Sequence, residues 1–71
     1  MTMERVVKST NIREIGYDPI TRRLRVKFLN GDTGEYLDVP RAAWEAFRAA
    51  PSKGRHLHQH LRGSYEWQKV A

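Results

Sequence analysis

Arg23-Leu24-Arg25-Val26-Lys27-Phe28-Leu29-Asn30-Gly31 is the stretch from which the rest of the chain can be read. Leu24, Val26 and Phe28 alternate with Arg23, Arg25 and Lys27, the two-residue period of a strand with one dry and one wet face. Asn30-Gly31 follows, a dipeptide that tolerates the positive φ angles of a tight hairpin, and residues 35–39 then return as a partner strand. A loop of two residues (Asn30-Gly31) and a loop of four (residues 30–33) give the same face parity. Leu37 and Val39 then join Leu24 and Val26 inside, while Tyr36 and Asp38 join Arg25 and Lys27 outside. The longer loop is preferred because it sets Val26 opposite Leu37, Leu24 opposite Val39 and Arg25 opposite Asp38. One tyrosine ring is thereby expected among cations on the open face.

Upstream, residues 12–17 form a further strand with Arg13, Ile15 and Tyr17 on one side and Ile12 near the other, stopped by the turn signal Asp18-Pro19. Downstream the hydrophobic period lengthens to that of a helix. Pro40 suits a first helical turn, and Ala43, Trp44, Phe47 and Ala50 place an amphipathic helix over residues 41–49 whose Trp and Phe cover the sheet. Pro51-Ser52 breaks the chain, Ser52 serves as an N-cap, and Leu57 with Leu61 anchors a second helix ending at Gly63. Tyr65 and Trp67, two residues apart, suit a C-terminal strand or extended arm. The fold class is α+β: a three-stranded antiparallel β-meander packed against one or two short C-terminal helices, with a short C-terminal strand or arm.

Seventy-one residues make one domain, expected to span the whole chain with its core over about residues 7–67. A domain this small buries only about 60% of its unfolded surface, which argues against a deep substrate cavity. The absence of cysteine removes disulfides, thiolate nucleophiles and thiolate zinc sites, and fits a reducing cytosol. No apolar run reaches the roughly 18 residues of a membrane span and no signal-peptide core is seen, so a soluble cytoplasmic protein without membrane partners is expected. A monomer is expected over an oligomer.

The formal charge is +5 and uneven: residues 1–40 hold seven Lys/Arg against six Asp/Glu, residues 41–71 six against two. Between Ala46 and Tyr65 stand Arg48, Lys53, Arg55, Arg62, His56, His58 and His60 with no carboxylate. Such a surface points to an anionic partner. RNA comes first, with Lys53, Arg55, Arg62 and the histidines on phosphates and Tyr36, Tyr65 or Trp67 stacking on exposed bases, and an affinity falling steeply with salt. Ser52, Lys53, Gly54 and Arg55 at a helix N-terminus would suit a phosphate, and equally an ordinary cap with two solvated cations. Arg25 and Lys27 on the outer strand face would assist, unless Arg25 merely pairs with Asp38. His56 and His60 at i, i+4 have a metal-ligand spacing but lack a third ligand nearby in sequence, so no metal and no cofactor are expected. The same histidines could act as the acid and base of RNA cleavage, but a domain this small offers little cleft in which to converge them. The plainer reading is a solvated or phosphate-facing surface that gains charge in acid.

The order of short motifs resembles the KTSC domain, a family named for its place at the C-terminus of some lysyl-tRNA synthetases and found also as small stand-alone proteins in bacteria and phages. The matching segments are Ser9-Thr10-Asn11-Ile12, Ile15-Gly16-Tyr17-Asp18, Leu24-x-Val26-x-Phe28-x-Asn30-Gly31, Tyr36-Leu37-Asp38-Val39-Pro40, Ala50-Pro51-Ser52-Lys53-Gly54-Arg55 and Leu61-Arg62-Gly63-x-Tyr65. The resemblance implies a suspected RNA-binding role and no known enzymatic activity. It also exposes a departure: the family's Tyr-x-Tyr pair falls on positions 34 and 36, where Gly34 replaces the first tyrosine. Half of a stacking platform, roughly 1–3 kcal/mol per stacked base, would be lost there. The expected binding face therefore shifts toward the C-terminal half. The chain is read as a non-catalytic RNA-binding module. A module docking on an acidic protein surface, such as that of RNA polymerase, comes second and a small ribonuclease third.

Overall fold

The hairpin after Phe28 closes with three residues, not two or four. The Phe28 amide donates to the Asp32 carbonyl (2.8 Å) and the Gly31 amide to the Phe28 carbonyl (3.0 Å). Gly31 takes φ +97°, the left-handed position that closes a three-residue hairpin loop. An odd loop reverses the face parity of the returning strand. In the computed structural model, which describes residues 1–7, 9 and 11–71, Leu24 therefore faces Tyr36, Arg25 faces Glu35, Val26 faces Gly34 and Lys27 faces Thr33. The expected pairings of Val26 with Leu37, Leu24 with Val39 and Arg25 with Asp38 do not form. Tyr36 is turned into the core and is 4% exposed. Asp38, at φ +54°, instead pairs with Arg22 at 3.4 Å, and the turn it makes delivers Val39 to the core by another route.

The sheet has five antiparallel strands in sequence order, two more than the expected meander: β1 (Met3–Arg5), β2 (Ile12–Asp18), β3 (Arg23–Phe28), β4 (Thr33–Tyr36) and β5 (Trp67–Lys69). The three-residue β1 is too short to show a period in sequence. The tail becomes β5 by pairing Gly34 with Lys69 and Tyr36 with Trp67. A register irregularity between Ile12 and Glu14 adds one residue to β2, so Ile12 lies with Ile15 in the core instead of opposite it. Thr10, part of the first matching segment, lies outside the described residues.

One face of the sheet is covered by helix α1 (Arg41–Ala49), at the expected boundaries, through buried Trp44 and Phe47. Trp44 stacks on Tyr17 (centroids 5.6 Å, planes 10° apart), and the Tyr17 hydroxyl donates to the Val39 carbonyl at 2.6 Å. The second helix is shorter and less regular than the leucine spacing suggests. Ser52 caps a single turn, α2 (Lys53–His56), by accepting from the Arg55 amide, and the chain continues as a π-helical turn over Leu57–Leu61. The Arg62 amide donates to the Leu57 carbonyl, five residues back, at 2.8 Å. That wider turn seats Leu61 in the core, and Gly63 at φ +84° sends the chain back toward β5.

Candidate nucleic-acid interface

Between the second helical segment and the hairpin end of the sheet runs an open groove of about 480 Å3. Its floor is apolar, with Ile12, Leu57 and the ring of Tyr36; one side carries His58, Arg62 and Tyr65, the other Phe28, Trp67, Lys69 and Asp32. Four aromatic side chains and three groups able to carry positive charge thus meet in one concavity. Trp67 is its organising residue. Its ring centroid stands 4.7 Å from that of Tyr36 and 5.9 Å edge-on from that of Phe28, yet 39% of the residue remains exposed. Burial pushes the Tyr36 phenol above its ordinary range, although the charge of Arg62 pulls it back.

The indole occupies the space left free by Gly34. A Cβ at position 34 would collide with the six-membered ring of Trp67, so the indole from the adjacent strand fills the space a side chain there would need. The pairing of Tyr36 with Trp67 and Gly34 with Lys69 puts both β5 side chains on the same face as the tyrosine. Tyr65, Trp67 and Lys69 then line the groove at the two-residue spacing already visible in the tail.

Of the residues singled out from the sequence, Tyr36, His58, Arg62, Tyr65 and Trp67 line this groove; Arg25, Lys27, Lys53, Arg55, His56 and His60 do not. Arg25 lies on the other face of the sheet, where its Nη2 ion-pairs with Glu35 at 2.6 Å. Lys27 shares that face by strand alternation. Lys53 folds back, donating from Nζ to the Ala50 carbonyl at the end of α1 (2.6 Å), and lines a second, smaller groove with Glu4 and Arg48. Arg55 is exposed but lines neither groove. Lys53, Arg55 and Arg62 are thus dispersed rather than gathered in a single strip. Phe28, Asn11, Asp32 and Lys69 are groove residues that the sequence reading did not single out. For Lys69 the continued alternation after Trp67 was the available signal.

His56 lies between Phe47 (centroids 5.7 Å) and His60 (4.5 Å), away from the groove. Among the described residues, no three His, Cys, Asp or Glu side chains gather into a metal site. Burial first, then the charges of His60 and Lys53, hold the His56 imidazole below its usual 6.5. The unfolded chain therefore takes up this proton at higher pH than the fold does, so stability present above 6.5 is lost as pH falls through that value toward the folded pKa. Thermal unfolding at pH 7.5 and pH 5 is expected to show a larger loss in the wild type than in His56→Gln. An equal loss in both would remove His56 as its source.

Comparison with known proteins agrees with this fold. The sequence matches the KTSC domain over residues 8–65. The chain belongs to the KTSC domain family. A KTSC domain protein from Yersinia pestis, known from its crystal structure, is 39% identical and superposes with a TM-score of 0.85 over 99% of this chain and 100% of that one. An uncharacterized protein of Stutzerimonas stutzeri is 40% identical over 58 residues, 80% of this chain and 82% of that protein. A lysine–tRNA ligase of Nostoc is 32% identical over 60 residues, which are 84% of this chain but only 11% of the ligase. This KTSC domain therefore corresponds to a small segment of that enzyme. No helix among the described residues is long and apolar enough to cross a membrane.

Proposed function

We propose that this KTSC domain is a non-catalytic module that binds single-stranded RNA in the aromatic groove. The observation that carries the reading is the meeting of Phe28, Tyr36, Tyr65 and Trp67 with Arg62, Lys69 and His58 in one open concavity. Unpaired bases stack on aromatic faces while cations at the rim hold the backbone; the paired bases of a duplex cannot enter such a groove without unstacking. The match to a segment of a lysine–tRNA ligase supports an RNA partner. Binding rather than strand cleavage is proposed for the groove because His58 is the one imidazole lining it, while His56 and His60 stand 4.5 Å apart outside it.

Fluorescence anisotropy with a labelled mixed-sequence RNA of nine nucleotides tests this. Trp67→Ala is expected to weaken binding about tenfold, within the range of one lost stacking partner, and Lys53→Ala to leave it within about twofold. With Arg62 on a phosphate and Lys69 held by Asp32, log affinity should fall with log salt at a slope of about −0.7. Unchanged affinity in Trp67→Ala would move RNA binding off the groove. Absence of RNA binding, with retention on an acidic protein surface instead, would favour the docking reading.

A further inference from the structure

Along the sheet side of the groove, Trp67 is followed two residues later by Lys69, whose ammonium stands 3.6 Å from Asp32 Oδ1. A two-residue step in a strand covers about 7 Å, the reach of a base that stacks on the indole and projects its edge forward. Asp32 is held firmly there. Its amide donates to Asn30 Oδ1 (2.9 Å), its carbonyl accepts from Phe28 (2.8 Å), and its Oδ2 accepts from Asn30 Nδ2 (3.3 Å). The ion pair itself is longer than a hydrogen bond, and both side chains are more than half exposed. It can therefore open to a ligand at small cost.

Resting on the RNA reading above, we infer that the Asp32–Lys69 pair makes the groove prefer guanine among unpaired bases, stacked on Trp67. A carboxylate offers only acceptors and an ammonium only donors. Together they present two acceptors and then a donor. Guanine's Watson–Crick edge complements that order, with N2–H2 and N1–H as donors and O6 as acceptor. Adenine and cytosine each offer one amino donor beside a ring acceptor that faces the carboxylate unfavourably. Uracil offers a single N–H and one carbonyl oxygen that can meet the ammonium, but its second carbonyl oxygen then faces the carboxylate unfavourably.

The test is anisotropy with nine-nucleotide oligouridines carrying guanine, adenine, cytosine, uracil or hypoxanthine at the centre. The wild type is expected to bind the guanine oligomer about tenfold more tightly than the uracil one, with hypoxanthine, which lacks the 2-amino group, between them. In Asp32→Asn the guanine-to-uracil ratio should fall toward one. Equal affinity for all five oligomers, with Trp67→Ala still weakening them, would overturn the guanine preference and leave the RNA reading standing. A guanine preference undiminished in Asp32→Asn, or by hypoxanthine in the wild type, would overturn the role given to Asp32. Binding to none of the oligomers would overturn both the preference and the reading beneath it.

Discussion

Replacing Phe47 with alanine is expected to destabilise the domain by about 3–5 kcal/mol. The ring is fully buried, packs on Trp44 at 6.4 Å between centroids, lies 5.7 Å from the His56 ring, and with Trp44 forms the buried face of α1. A chain of 71 residues has a total stability of only about 4–11 kcal/mol, so a loss of this size leaves it marginal. Thermal unfolding followed by circular dichroism should show a midpoint lowered by about 15 °C or more. A shift of a few degrees would mean that the helix is held to the sheet by something other than this aromatic core.

Arg25→Ala is expected to be the next most damaging of the changes considered, at about 2–3 kcal/mol, and to do so without altering RNA affinity of the folded protein. Glu35 is 2% exposed on the outer side of the sheet. Its two oxygens are held by Arg25 from Nε at 2.8 Å and, more loosely, by Arg23 from Nη1 at 3.3 Å. Removing Arg25 leaves a buried carboxylate with its weaker partner, and such a charge is costly. The effect is placed below the 3–5 kcal/mol typical of a broken buried pair because the Arg25 side chain is itself 36% exposed. Glu35→Gln should recover part of the loss when combined with Arg25→Ala, since the uncompensated charge is then gone. A double variant less stable than either single one would contradict this explanation.

Arg25 also illustrates what could and could not be read from residues alone. The alternation of β3, the Asn30-Gly31 turn, the Arg41–Ala49 helix and the Ser52 cap depend on local backbone preferences, and all are present where local chemistry places them. Register depends on one further residue of loop. Gly31 accommodates a two-, three- or four-residue closure, and only the packing of Tyr36 beneath Trp67 and beside Leu24 decides among them. From that single step came the exchange of Asp38 for Glu35 as the partner of Arg25, and the change of Tyr36 from an exposed ring to a groove floor. Lys53 shows a different limit. Its flexible stem lets the ammonium choose the end of α1 over solvent, and no spacing in the sequence records that choice. The groove itself is half legible: Tyr36, His58, Arg62, Tyr65 and Trp67 stand out in the sequence, but nothing in their spacing brings them into one concavity. The fact that Trp67 covers Gly34 required the fifth strand.

The two tryptophans permit a direct measurement on the groove. Trp44 is 7% exposed under α1, whereas Trp67 is 39% exposed in the groove, so their indole N–H resonances report on core and site separately. In an NMR titration with single-stranded RNA, the Trp67 indole signal and the amides of Arg62 and Tyr65 should move progressively while the Trp44 indole signal stays in place. A Trp67 signal that remains still with RNA in excess, while signals elsewhere on the domain shift, would contradict binding in this groove.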